Sequence, residues 1–477
     1  MQWSRAGRSY YPEIQFVNTP IIATVRPPVG LRLEGGSLVT QREKGSVTTL
    51  LATEALVLGL KPLWISAVDP AIAKALRKEP GVISGFPFSL YPVAVELSEF
   101  NTAYDFATRM LWFCHHGLLD DYPPDRIEHG SGYKAFLDLN NRFAMRIADV
   151  VDPTNAVVIN DYQLCMVPSV LRLWRPDIRV LHMSYTAFAD AATWARLPQA
   201  LGIAMLEGML GANVVAFTAM RWANNFIRCV LNSVDAHYIR KEGALVHPRG
   251  TTFVRTQPVF ANPDRIAALA KAKSVSTFPN PSRTMLARAD RLDPAKNIIR
   301  GFEAFEQLLR RRHYGDTELH FTACLVPTRQ TLWEYRQYTE KVLDLIDRIN
   351  QRFSGSITVH LGDDHTRALQ TAINSDVFLA NSLADGMNLT VQESALVNRG
   401  KGTLVLSEQM GSAVFLRSCA DLVPDVRSIH QTAECIERSI ALPVGKRMAR
   451  SLRAKDLLGT QTPFLDRALK DMDALAT

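Results

Sequence analysis

No apolar run in this chain is long enough to span a bilayer, and the first residues, Met1-Gln2-Trp3-Ser4-Arg5, lack the apolar core and cleavage pattern of a secretory signal. The expectation is a cytoplasmic protein without a membrane span. Cysteine is scarce: six in 477 residues (Cys114, Cys165, Cys229, Cys324, Cys419, Cys435), scattered, with no Cys-x-x-Cys pair and no close histidine partner. They read as buried free thiols of a reducing compartment, not as a disulfide frame or a metal site. Basic runs interleaved with aromatics are also missing, so the net charge of +7 points to anionic small molecules ahead of nucleic acid. His115 and His116 are adjacent and diverge on a helix; with Asp120 and Asp121 they read as polar surface, and no metal is expected.

Short apolar runs that precede helical patterns are plentiful. They fall at residues 21–25, 63–67, 156–159, 180–183 and 213–217, and again at 285–287, 319–324, 357–360, 377–380 and 403–406. Strand alternating with helix implies parallel sheets, hence an α/β class. A stretch rich in Ser and Pro, residues 273–283, separates the two series. The expected organisation is an N-terminal Rossmann-like domain over residues 1–275, a second over 284–445, and C-terminal helices over 446–477 that return to the first domain, with a cleft between the two sheets.

Two segments carry chemistry. In the first, Ser382-Leu383-Ala384-Asp385-Gly386-Met387-Asn388-Leu389 follows a buried strand and opens a helix that includes Glu393. Free N–H groups and the dipole at a helix start favour a phosphate, and Gly386 allows a ligand to approach the backbone. Asp385 would face sugar hydroxyls and Glu393 ribose hydroxyls. Taken alone, this turn is equally well read as an ordinary strand-to-helix connection with an acidic surface residue. In the second segment, Arg288-Ala289-Asp290-Arg291-Leu292-Asp293-Pro294-Ala295-Lys296-Asn297, Arg291 and Lys296 stand between a strand and a helix. A guanidinium fork and an ammonium suit a diphosphate leaving group whose charge grows as its bond breaks. The order of strand, basic loop, helix and Asp-Gly-Met-Asn-Leu turn favours the functional reading of both.

Asp290-Arg291-Leu292-Asp293 with Lys296, Asp385 to Leu389 with Glu393, Leu404-Val405-Leu406-Ser407-Glu408 with Gly411, and Asp161-Tyr162-Gln163-Leu164 with Pro168 resemble trehalose-6-phosphate synthases and their pseudoglycosyltransferase relatives over nearly the whole chain. Gln163, Asp293-Pro294, Asn297, Gly208-Met209-Leu210, Arg221-Trp222, Asn225-Phe226 and Leu396-Val397-Asn398 resemble the branch typified by validoxylamine A 7'-phosphate synthase. The resemblance implies a GT-B arrangement and transfer with retention from a nucleotide-sugar or nucleotide-cyclitol donor to a phosphorylated sugar-like acceptor. Neither metal nor cofactor, and neither nucleic acid nor membrane, is implied, and a homo-oligomer stays open. By resemblance, Arg291, Lys296 and Asp161 are catalytic, and Arg26, Trp112 and Arg329 hold the acceptor. Tyr185 and residues 385–389 with Glu393 hold the donor, joined by a small-residue loop. Gly35-Gly36-Ser37 and Gly45-Ser46 both qualify for that loop, and helix spacing favours Gly45 and Ser46. Arg26 is almost as readily a strand-end surface arginine, and Trp112 a core aromatic.

The sequence also departs from the family pattern. The family's His-Asp-Tyr-His run is here Asn160-Asp161-Tyr162-Gln163, and its His-x-Pro-Phe turn is Tyr185-Thr186-Ala187-Phe188. The second lost histidine normally lies against the donor ring, so the donor need not be glucose. His182, three residues earlier on its strand, faces elsewhere by alternation. Three functions remain: a retaining glycosyltransferase, a pseudoglycosyltransferase coupling an activated cyclitol to an amino-cyclitol phosphate, and a non-catalytic sugar-phosphate sensor. The diphosphate-type groups argue against the sensor, which has no need of them.

Overall fold

The structure, a computed structural model, describes residues 19–35, 37–42, 47–78, 88–124, 129–271, 283–311 and 319–474. Its first sheet has nine strands in the order Ser89–Ala94, Leu63–Val68, Ile21–Ala23, Ala156–Asn160, Arg179–Ser184, Val214–Phe217, Gly250–Thr256, Ala244–His247 and His237–Ile239. The first seven run parallel and the last two add an antiparallel edge. The second sheet is wholly parallel, in the order Ile357–Leu361, Leu319–Val326, Thr284–Arg291, Val377–Ala380, Thr403–Ser407 and Ala420–Val423. Helices cover both faces of such sheets, so their central strands are apolar throughout. Ile21, Ile22 and Ala23 are accordingly fully buried, as are Val377 and Leu379. All ten expected strands are present.

In each sheet the first strand of the domain lies at the centre, and the chain winds outward first to one side and then to the other. Ligands of open α/β sheets bind where that order reverses, beyond the carboxyl ends of the central strands. Arg26 follows Ile21–Ala23 and Asp161 follows the neighbouring strand Ala156–Asn160, so the first reversal point carries both. Arg291 ends Thr284–Arg291, and the turn after Val377–Ala380 leads to Asp385 at the second. The two reversal points face each other across the cleft, which is the GT-B arrangement.

The expected linker, apart from Arg283, lies outside the described residues. Of the C-terminal helices, Val444–Gly459 stays on the second domain, packed on the helices Leu389–Val397 and Gly411–Leu416. Phe464–Asp473 crosses to the first domain and packs on the helix Val47–Val57. The crossing is fixed by Glu54, whose carboxylate accepts the Phe464 and Leu465 N–H groups at 3.0 and 2.9 Å. These are two of the N–H groups that a helix start leaves without an intrahelical partner. No helix among the described residues is long and apolar enough to cross a membrane.

Candidate active site

Four non-glycine residues among those described have a left-handed backbone: Asp161, Asn297, Arg329 and Asn388. Such conformations cost about 1–3 kcal/mol each and persist where the surroundings enforce them. All four line the cleft or adjoin a residue that does. Asn388 caps the helix Leu389–Val397 by accepting from Val391 N–H at 3.2 Å, while its amide donates to Asp385 at 3.1 Å. Asn297 ends the turn that carries Lys296, and its amide reaches the carbonyls of Asn381 and Val426 at 3.1 and 2.8 Å.

On the second-domain face, Lys296 Nζ lies 2.5 Å from Asp385 Oδ2. Burial pushes the Asp385 carboxyl up, but the charge and hydrogen bond of Lys296, with Arg291 beside them, together hold the group below the usual carboxylate range. Arg291 stands beside this pair with its side chain 42% exposed, the more open of the two cations expected at the diphosphate. The turn itself is compressed. A methyl at Gly411 would overlap the Gly386 carbonyl within the turn, and a methyl at Gly386 would overlap the Tyr185 carbonyl of the opposite domain and so hold the two domains apart. Met387 is buried beneath, its carbonyl accepting from Ser412 Oγ, and Leu389 begins the helix. Glu393, one turn further on, is bonded through Oε2 to His365 Nε2 at 2.9 Å.

Where the two domains meet, Arg329 of the second and Arg26 of the first are arranged for a second anion. Arg329 donates to Asp293 at 2.8 Å, to Tyr335 Oη at 2.7 Å and to Tyr162 Oη at 3.1 Å. Its guanidinium lies 4.3 Å from the centre of the Trp112 ring and 5.7 Å from that of Tyr104. Arg26 lies 5.1 Å from the same Tyr104 ring. Burial pushes the Tyr104 phenol up, yet Arg329, Arg26 and Arg291 together bring it below its ordinary value. A partly shielded place with three guanidiniums nearby is suited to a phosphate. Fully buried Asp293 keeps these cations tolerable in the free protein. It takes bonds from Arg329, Tyr335 and the Trp112 indole, the last at 3.3 Å from the opposite domain. Burial raises its carboxyl, but Arg329 and Arg291 prevail and hold it below its usual range. Arg109, on the π-helical turn Thr108–Trp112, ties the domains together through a bidentate bond to Glu334 at 2.7 and 3.2 Å.

Asp161, at the first reversal point, lies within the field of Arg329 and Arg291. It accepts from Tyr185 N–H at 3.3 Å, and burial pushes its carboxyl up to about 6. The structure therefore brings Arg26, Trp112, Asp161, Arg291, Lys296, Arg329, Asp385 and the 386–389 turn to one cleft. Gly45 and Ser46 lie outside the described residues. Gly35 is the left-handed turn of the hairpin Val29–Glu34/Ser37–Arg42.

Two expectations are corrected. Tyr185 does not turn its ring into the cleft: it donates to Asn160 Oδ1 at 2.7 Å and packs edge-on against Phe464 in the first-domain core. The phenol reaches further than an imidazole and finds its partner inside. His115 and His116 are not polar surface, being 4% and 3% exposed. Burial lowers them to about 3 and about 4, so both are neutral near pH 7. His116 stacks on Trp112 with ring centres 3.9 Å apart and so supports the wall of the acceptor place. Sequence reading also passed over Tyr104, Tyr335 and His365. Tyr104 stands four residues from Phe100 and eight before Trp112, a helical spacing that would have placed it on the cleft face.

His182 is fully buried, as alternation requires, and all six cysteines are buried free thiols. Among the described residues no cluster of His, Cys, Asp and Glu is arranged to hold a metal ion.

The chain is similar to proteins of known activity and structure. A trehalose-phosphate synthase (UDP-forming) of Dictyostelium discoideum is 26% identical over 458 residues, 91% of this chain, and the chain spans 59% of that protein. A validamine 7-phosphate valienyltransferase of Streptomyces hygroscopicus subsp. jinggangensis is 28% identical over 432 residues, covering 86% of this chain and 85% of that protein. The crystal structure of a UDP-forming trehalose-phosphate synthase of Burkholderia xenovorans shares the fold with a TM-score of 0.82. It is 20% identical, and the match covers 96% of this chain and all of that one. The model of glycosyltransferase family 20 matches residues 31–462, a span that includes Asp161, Arg291, Lys296, Arg329 and Asp385, and the chain belongs to glycosyltransferase family 20.

Proposed function

We propose that this chain moves a sugar or sugar-like group from a nucleoside diphosphate donor to a phosphorylated sugar-like acceptor, with retention. The observation that carries the reading is that one cleft holds two neighbouring anion places, with Arg291 beside both. One is formed by Arg291, Lys296 and the helix start at Leu389; the other by Arg26, Arg329 and the Tyr104–Trp112 wall. A sensor for a sugar phosphate alone has use for only the second place. In the reaction, the bond from the transferred carbon to the diphosphate breaks first. Arg291, Lys296 and the helix N-terminus take up the charge that develops on the leaving oxygen. The acceptor hydroxyl or amine then attacks on the same face and gives its proton to the departing diphosphate oxygen, its phosphate anchored by Arg26 and Arg329. Closing of the cleft keeps water from the donor.

The diphosphate charge is countered here by protein groups, so transfer is expected to need no divalent ion. A cytoplasmic setting fits the free thiols.

A second reading, coupling of a nucleotide-activated cyclitol to an amino-cyclitol phosphate, is favoured by one observation. The residue at the position of the family's ring-facing histidine, Tyr185, is turned into the core, so the donor ring meets backbone and Asp161 there. The test is a panel of uridine, guanosine, adenosine and thymidine diphosphate-glucose with glucose 6-phosphate, run with and without EDTA, with nucleoside diphosphate release as the readout. Release dependent on glucose 6-phosphate supports the sugar reading. Nucleotide binding without release directs the same assay to an activated cyclitol with an amino-cyclitol phosphate. Absence of binding by every nucleotide sinks both.

A further inference from the structure

The hydrogen bond between His365 and Glu393 has no part in the reading above. His365 is the first residue of the helix His365–Ile373, which follows the edge strand Ile357–Leu361 and starts where Asp364 accepts from Arg367 N–H at 2.9 Å. That helix packs on Leu389–Val397, the helix whose start faces the diphosphate place. The contact brings His365 Nε2 to 2.9 Å from Glu393 Oε2, with the two side chains 13% and 11% exposed. A carboxylate near neutral pH has no proton to give, so the hydrogen of this bond belongs to Nε2. Oε2 is thereby occupied, and among the described residues Oε1 receives no hydrogen bond.

A free glutamate side chain samples many rotamers and must be ordered by each ligand it binds. Here the imidazole has already ordered it, with one oxygen committed and the other left as a fixed acceptor beside the helix start. We propose that His365 is a positioning residue that holds Glu393 for the ribose of the donor nucleotide, so that the chain selects ribonucleotides over 2′-deoxyribonucleotides through this pair. The proposal rests on the reading of Glu393 as the ribose contact. His365 does not itself touch the reacting atoms.

The test is calorimetric titration of the full chain with UDP, 2′-deoxy-UDP, GDP and 2′-deoxy-GDP. The proteins are wild type, His365→Leu, His365→Gln and Glu393→Gln, each checked by thermal melt. The wild type is expected to prefer the ribose form of the base it binds. His365→Leu is expected to lose about tenfold of that preference, the scale of one hydrogen bond to a charged group. His365→Gln is expected to recover most of it, since its amide Nε2 reaches the same place with a hydrogen to donate. A purely structural role for His365 would lower the melting temperature of His365→Leu without changing the ribose preference, and that result overturns the proposal. A wild type without preference, or a preference that survives Glu393→Gln, overturns instead the underlying reading of Glu393. Loss of preference in Glu393→Gln with wild-type preference in His365→Leu overturns the pairing alone. If His365→Leu does not fold, His365→Gln decides: a preference lost in that folded variant counts against the hydrogen bond as the cause.

Discussion

Replacing Gly386 by alanine isolates domain closure from everything else in this cleft. The three atoms nearest to the added methyl all belong to the first domain: the Tyr185 carbonyl oxygen, which it would overlap, the Tyr185 carbonyl carbon at 2.7 Å and a Thr186 carbon at 3.3 Å. Gly386 does not have a left-handed backbone, so alanine adopts its conformation without local strain. Carbon atoms rest comfortably about 3.5–4.0 Å apart, so the two domains must part by about 1 Å at this point. The contacts that hold them together elsewhere, Arg109 to Glu334 and Arg221 to the Glu408 carbonyl, are backed by buried or half-buried groups and cannot follow freely. A misplacement of about 1 Å between reacting groups costs about 100-fold in rate, equivalent to about 2.7 kcal/mol of activation free energy. The expected result is a kcat about 100-fold lower with an unchanged melting temperature. Nucleoside diphosphate affinity should stay within about threefold, because the diphosphate groups lie on one domain. Stopped-time release of nucleoside diphosphate gives the rate, and calorimetry gives the affinity. A Gly386→Ala protein with kcat within a few-fold of wild type would show that the closed contact between Gly386 and Tyr185 is not required for transfer.

Three further perturbations separate charge from fold. Arg291→Ala is expected to lower turnover at least about 100-fold with little change in melting temperature, because the side chain is 42% exposed. Lys296→Ala is expected to be as inactive and to melt lower, since buried Asp385 loses its counter-ion; near-normal turnover in either variant refutes the leaving-group role. Asp161 has a carboxyl raised to about 6, so its ionisation costs stability as pH rises through that value. Asp161→Asn should therefore melt higher than wild type at pH 8, lose that advantage below about pH 4, and have no transfer activity at any pH; a pH-independent difference in melting counts against the assignment. Glu54 is raised to about 7 by burial, so its contribution is full below its unfolded value and is lost as pH rises through 7. The stability of Glu54→Gln relative to wild type should improve by about 3 kcal/mol between pH 4 and pH 9, read from denaturant melts, and a flat difference would mean that the carboxylate is solvated.

Nine of the ten strands that sequence reading found are interior to their sheets, where the apolar run is largely unbroken, the edge strand Ile357–Leu361 being the exception. Two of the parallel strands it missed, Ser89–Ala94 and Ala420–Val423, are sheet edges. An edge is half-covered, and these two carry Pro92 and Asp421, which interrupt the pattern. The antiparallel pairs His237–Ile239, Ala244–His247 and Gly250–Thr256 were missed for a different reason: their polar alternation signals a hairpin, not a crossover unit. Site residues divide in the same way. Arg291, Lys296 and Asp385 to Leu389 were legible because each group lies in one turn, where a few adjacent residues set the geometry. Tyr335, His116 and His365 were not, because each acquires its role from a partner far away in sequence. Tyr335 matters only because Arg329 and Asp293 meet it, and His365 only because a second helix presents Glu393. Solvent exposure was misjudged for His115 and His116 because adjacency on a helix says where two side chains diverge, not what covers them.

Asn160 and Tyr185 look in the sequence like two separate losses of histidine, but the structure makes them one change. The amide nitrogen of Asn160 donates to the carbonyls of Ala23 and Val158 at 2.9 and 3.1 Å, which fixes the orientation of the amide and leaves Oδ1 as an acceptor in the core. Tyr185 Oη supplies the hydrogen that this oxygen needs. An imidazole at either place would not satisfy the other residue, because a shorter ring at 185 falls short of Oδ1 and leaves a buried acceptor unpaired, at a cost of about 1–3 kcal/mol. The phenol in turn is held in place by Phe464, on the one C-terminal helix that crosses to the first domain. Its orientation thus depends on the same contact that Glu54 secures. With the ring drawn inward, the cleft on that side is formed by Tyr185 backbone and by Asp161, whose carboxylate accepts from Tyr185 N–H. A single reversion to histidine would therefore disturb the core before it altered donor choice. Only a paired exchange at 160 and 185 leaves the core satisfied while it changes what the donor ring meets.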